Sequence, residues 1–153
     1  MSNTQAMCTS FKVDLLNGVH AFSGTTLAAG ARAVDTFKAA LYLTTATTNA
    51  TTTAYSATNE VSGTGYSAGG VSVTNATAPG NGGGTGAIWT PSASIVYTTV
   101  TLTTAFDCVL IYNSTQSNKA VSVHTFGAQT ITAGTLTLTM PANTTGNALI
   151  QLA

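Results

Sequence analysis

"SIVYTTVTLTTAFDCVLIYN", Ser94 to Asn113, decides the fold class. Its first half alternates: Val96, Thr98, Val100 and Leu102 point one way, while Ile95, Tyr97, Thr99 and Thr101 point the other. A period of two is the spacing of a strand with one face buried, and Thr is β-branched and can face water through its hydroxyl. The second half, "FDCVLIYN", is a continuous apolar run, as expected of a strand covered on both sides. The segment therefore reads as a half-buried strand followed by a strand buried on both sides.

The same signatures recur on either side. "DTFKAALYLTT" opens the period-two region, and "KAVSVHTFG" sets Val121 and Val123 against Ala120, Ser122, His124 and Phe126. In "GTLTLTM", Leu136, Leu138 and Met140 alternate with Thr135, Thr137 and Thr139 until Pro141 stops the strand, and "NALIQLA" reads as a terminal strand. Turn-rich spacers separate these runs, notably "SGTGYSAGG" and "APGNGGGTG"; the latter has five glycines between Pro79 and Ala87 and reads as a flexible loop. Near the start, "SFKVDLLNG" favours a short helix capped by Ser10, with Phe11 and Leu15 on one face and Gly18 as its stop. A strand turning at Asn17-Gly18 is the competing reading. The expectation is an all-β single-domain β-sandwich or jelly roll with at most one short N-terminal helix. Residues 1–34 are expected as an N-terminal arm and 35–153 as the β-sandwich domain.

Composition bounds the function. The 153 residues suit one domain, and only 5% are charged, against roughly 25% in ordinary globular proteins. The formal net charge is zero, which removes the repulsion that keeps a free monomer apart from its neighbours. Such a chain suits a surface covered by neighbours in an assembly. Nucleic-acid binding is disfavoured, since no basic cluster can neutralise several phosphates. No run of about 18 apolar residues spans a membrane, and "MSNTQAMCTS" lacks the pattern of a secretory signal, so synthesis in a cytoplasm is expected. Cys8 and Cys108 read as two buried thiols rather than a disulfide.

One motif invites a catalytic reading. "GTGYSAGG", Gly63 to Gly70, contains G-x-S-x-G around Ser67, and Asp107 and His124 follow in the order of α/β-hydrolases. A nucleophile elbow needs a buried strand before the serine and a helix after it. Here "NEVSGT" precedes and the strand-like "VSVTNAT" follows, and a chain rich in Gly and Ser produces the pattern by chance. Asp107 is expected to begin the buried strand or to accept a turn hydrogen bond, and His124 to be a hydrogen-bonded structural histidine. No catalytic residue, cofactor or metal site is therefore assigned; His20, His124, the two cysteines and four carboxylates show no ligand spacing.

"SFKVDLLNGVHAF", "AYSATNEVSGTGYSAGG", "VSVHTFGAQTITAGTLTLTMPAN" and "ALIQLA" together resemble a family of small β-rich structural proteins of tailed-bacteriophage virions, of the capsid decoration (cement) type. The resemblance implies a non-enzymatic protein on the capsid surface, made in the host bacterial cytoplasm. Its implied partners are the major capsid protein and copies of itself, as a homotrimer, with no nucleic acid and no membrane. A neck, tail or fibre location is the alternative. A glycan-binding β-sandwich is another, with Trp89, Tyr66 and Tyr97 as candidate platforms. The segment through Arg32, which carries much of the charge, is expected to face the capsid. Phe11, Lys12, Arg32, Asp35, Tyr66 and Trp89 are the expected capsid or subunit contacts.

Overall fold

The computed structural model describes residues 2–23 and 33–152. They form a mostly antiparallel β structure in one domain, with a single short helix, in the order β1 (Ala6–Met7), α1 (Thr9–Leu16), β2 (Phe37–Leu43), β3 (Val71–Ser72), β4 (Ala87–Trp89), β5 (Ile95–Asn113), β6 (Lys119–Leu138) and β7 (Ile150–Leu152). The all-β expectation holds. A five-stranded sheet runs β1-β6-β5-β2-β3, and β4 pairs with β7 in a separate two-stranded sheet, giving a sandwich-like arrangement.

The helix forms and the competing hairpin does not: Asn17 has a φ of −85°, outside the left-handed region that a two-residue Asn-Gly turn needs, and Gly18 ends the helix at a φ of +65°. Its amide donates to the Leu15 carbonyl and that of Val19 donates to Asp14, the paired bonds of a Schellman stop. The N-terminus differs from expectation. The extended residue before the helix is Cys8, which makes no side-chain cap, and Ser10 lies inside the first turn. Phe11, Asp14 and Leu15 turn inward, while Lys12, Val13 and Leu16 are exposed. Residues 2–23 share the core with the strands: β1 pairs with β6, and Phe11 and Phe22 pack into the main apolar cluster. The segment expected as an arm is built into the domain through residue 23.

The hairpin of β5 and β6 organises everything else. Its base, from Phe106 to Asn113, is sandwiched on both faces as the apolar run predicts. Register with β2 places Cys108, Leu110 and Tyr112 on one face beside Ala40 and Tyr42, and Val109, Ile111 and Asn113 on the other beside Phe37. The first face is covered by the segment after β2, where Tyr55 stacks on Tyr112 at 4.8 Å and the Thr48 hydroxyl lies 3.0 Å from the Cys108 sulfur. On the second face Phe37 stacks on Phe22 at 4.6 Å and meets Trp89 at 5.8 Å. Each such buried side chain contributes about 1.5–3 kcal/mol by leaving water.

Farther along, the hairpin continues as a ribbon, and here the alternation read from the sequence slips. Tyr97 pairs with Leu136 but Val100 with Gly134, so β5 holds an extra residue, at which Thr99 takes a φ of +52°. A bulge of this kind resets which face each later residue occupies. Ile95 and Tyr97 are therefore buried together with Val100 and Leu102, and Val96, expected on the Val100 face, is 38% exposed. On β6 the expected alternation survives at Leu136 and Leu138, which are half-buried beside exposed threonines, but the strand ends at Leu138, two residues short of Met140.

Candidate functional site

The Ser67 motif resolves into two turns. The Tyr66 amide donates to the Gly63 carbonyl and the Gly70 amide to that of Ser67, so Gly65 and Gly69 both occupy the third position of a four-residue turn. Their φ values are +79° and +86°, which that position demands in a type II turn. Gly70 is needed for a different reason: a Cβ there would lie 1.7 Å from the Ala39 carbonyl oxygen. Gly65 thus sets the loop against Thr99 of β5, Gly70 just past the motif sets it against β2, and Ser67 is exposed on its outside. No helix follows; Val71 enters β3.

Asp107 and His124 have other partners. Asp107 Oδ1 accepts from the Asn3 side chain at 2.6 Å, and Asn3 Oδ1 accepts from the Thr48 amide and hydroxyl. His124 Nε2 lies 2.9 Å from the hydroxyl of buried Ser122. Burial pushes the His124 imidazole down to about 4, so it is neutral at pH 7. Ser67, Asp107 and His124 are hydrogen-bonded into three separate settings, not into one constellation. The cysteines are buried free thiols, each pushed up to about 11 mainly by burial, which keeps them in the unreactive form.

The most organised polar site was not visible in the linear sequence. All five tyrosines of the chain gather around Glu60. Glu60 Oε1 accepts from the Tyr66 hydroxyl at 2.7 Å and the Gly69 amide at 2.8 Å, and Oε2 accepts from the Tyr55 hydroxyl at 2.6 Å. Tyr66 also accepts from the Leu41 amide of β2, Tyr97 donates to the Ala39 carbonyl, and Tyr112 donates to that of Gly69. Tyr42 donates to the Ser56 carbonyl. Desolvation first, and the Glu60 charge after it, raise the pKa of every one of these phenols; Tyr42 reaches about 12. They therefore stay protonated as donors, as the carboxylate requires. Tyr66 stacks nearly parallel to Tyr97, and Tyr55 to Tyr112. This network fastens the loop between Tyr55 and Gly70 to β2 and β5.

A second buried polar cluster joins the N-terminal segment to the hairpin turn. Lys119 Nζ binds both Asp14 oxygens at 2.9 and 3.1 Å, and the same carboxylate lies 3.7 Å from His20 Nε2. His20 Nδ1 meets the Asn113 side-chain amide at 2.9 Å, and that amide also donates to Asp35 Oδ2. Asp35 further accepts from the Ala21 amide and from Gln116. Burying a carboxylate is costly unless its lone pairs are filled, and here several donors fill them. Among the described residues no group of three His, Cys, Asp or Glu could hold a metal ion.

The expected contact residues sort accordingly. Phe11 and Trp89 are core side chains, and the Trp89 indole donates to Asn75. Asp35 is buried in the polar cluster, and Tyr66 is half-buried against Glu60. Lys12 is exposed on the outer face of α1, and Arg32 lies outside the described residues. No helix of the described residues is long and apolar enough to cross a membrane. No protein-family model matches the chain, and neither a curated protein nor a solved structure shows significant similarity to it.

Proposed function

We propose that this protein is a structural component of a bacteriophage virion that binds the assembled head and stabilises it by bridging capsid subunits. The observation that carries the reading is the distribution of charge. No Asp, Glu, Lys or Arg occurs between Glu60 and Asp107 or after Lys119, so two long stretches of the chain carry, apart from the His124 imidazole, almost only hydroxyl, amide and apolar groups. Of the charged residues elsewhere, Asp14, Asp35, Glu60, Asp107 and Lys119 are engaged within the molecule. What remains outside suits contacts that salt does not screen. The resemblance of "NGVHAF" and "AYSATNEVSGTGYSAGG" to phage structural proteins supports the same reading. A protein that binds the closed shell and not its open form stabilises the shell by mass action.

The glycan-binding alternative has less to draw on, because Trp89 and Tyr97 are buried and Tyr66 is tied to Glu60. Quantitative mass spectrometry of purified particles tests the proposal. Hundreds of copies per particle are expected, with heads lacking the protein opening at lower temperature. About a dozen copies or fewer would move it to the neck or tail, and none would remove it from the virion.

A further inference from the structure

The ribbon has two edges, and they are treated differently. On the β5 side the loop after Glu60 lies across it: the Thr101 amide donates to the Thr64 carbonyl at 2.9 Å, and a Cβ on Gly63 would sit 2.0 Å from the Thr101 carbonyl oxygen. On the β6 side β1 pairs only with Ser122 and Val123, and among the described residues no strand pairs with the outer edge from Gly127 to Leu138. That edge is roughly 40 Å long at about 3.3 Å per residue. Natural sheets guard such an edge with Lys, inward charges, Pro or shortness. This one has none of those four: it is uncharged, contains no proline, and presents exposed Gly127, Ala128, Thr130 and Thr135. Its one guard is its bulges, one with Ala133 at a φ of +48°, which twist the edge but leave it long and uncharged.

We infer that this edge is the mate of the same edge on a second copy, so that two ribbons join antiparallel into one continuous sheet about a two-fold axis. Three features select a copy of this chain as occupant. An uncharged strand fits an equally uncharged strand, since a charged side chain laid along it would lose water and gain no counter-charge. Antiparallel self-pairing brings threonines opposite threonines, a favourable cross-strand pair, and the small Gly and Ala side chains let the backbones close. The pairing also supplies about a dozen backbone hydrogen bonds, which is what a typical protein interface carries. The zero net charge leaves no overall repulsion between the copies. An isologous contact is complete at two, so the solution species is a dimer in place of the threefold expected from the resemblance. The inference stands apart from the virion reading, because a chain that never met a capsid would present the same edge.

Light scattering on the full chain, over about a hundredfold range of concentration, tests it together with a charge swap. Replacing Thr130→Lys with Thr135→Lys puts like charges across the two-fold and is expected to weaken the dimer about 100-fold at low salt. The Thr130→Glu and Thr135→Glu double variant is expected to be equally monomeric, and mixing the two to restore a heterodimer. Hydrogen exchange on the unaltered protein gives a reading that needs no variant: amides between Gly127 and Leu138 should slow as concentration rises. A wild-type monomer throughout, a trimer, concentration-independent exchange, or a dimer that both swaps leave intact would overturn the inference. Loss of head binding with the dimer unchanged would instead count against the virion reading alone.

Discussion

The base and the ribbon of the β5–β6 hairpin are one pair of strands in two environments. In the base, Leu110 and Ile111 are buried on opposite faces, and β2 and β6 flank the strand on both sides. In the ribbon, the threonines at 103, 104, 130, 132, 135 and 137 face water, bulges interrupt the register, and no strand of the described residues pairs with one edge. The base is stabilised by removal of apolar surface from water. The ribbon buries one face, through Ile95, Tyr97, Val100 and Leu102 of the same apolar cluster, and is held further by cross-strand pairs and the loop fastened by Glu60. The difference shows how a single long hairpin can be covered on both faces at one end and on one face only at the other.

The sharpest way to test that division is a matched pair of truncations. Leu110→Ala in the base is expected to cost about 3–4 kcal/mol in chemical denaturation, and Leu136→Ala in the ribbon about 1 kcal/mol. Equal costs would show that the ribbon is as much core as the base. Next in size is Gly63→Ala, whose methyl meets the Thr101 carbonyl and should lift the loop from the ribbon at a cost of about 2 kcal/mol. Faster exchange confined to residues 97–104 would locate the damage there.

His124 lies where base passes into ribbon. Its folded pKa of about 4 is below the ordinary 6.5, so between those values the unfolded chain binds more protons than the folded one. Its contribution is complete above pH 6.5 and is lost as pH falls toward 4, by about 1–2 kcal/mol once water reaching the half-buried ring is allowed for. His124→Gln should flatten that slope in urea titrations at a series of pH values; an unchanged slope would mean that the ring titrates normally. The smallest effect is expected at Thr103→Val on the exposed ribbon face, within about 0.5 kcal/mol. A larger change in melting temperature would reveal a contact that its exposure does not suggest.

Local patterns were the legible part. Val121, Leu136 and Met140 announce strands because successive side chains in a strand point to opposite faces whatever lies beyond them. Gly18 announces a helix stop because few other residues adopt its φ. The Val96 face was misread because a bulge is a misfit between two strands, and neither strand carries its record alone. Glu60 sat unremarked inside "SATNEVSG", although the tyrosine inside the neighbouring G-x-S-x-G motif was a signal that the loop had an aromatic to bury. Asp35, expected at a contact surface, lies inside, since composition does not say which loop closes over which face, whereas Trp89 is in the core where such a side chain most often packs.

The sequence by itself determined a β protein with one short helix, turns built on glycine and long stretches without charge, because those properties follow from backbone geometry and side-chain chemistry at each position. Tertiary structure decided the rest. Tyr42, Tyr55, Tyr66, Tyr97 and Tyr112 become one site only when β2 pairs with β5 and the loop folds back upon them. Among the described residues, the outer edge of β6 is unpaired beyond Val123 because β1 begins at Ala6, opposite it. Both depend on which segments become neighbours, and that is settled by the packing of the whole chain.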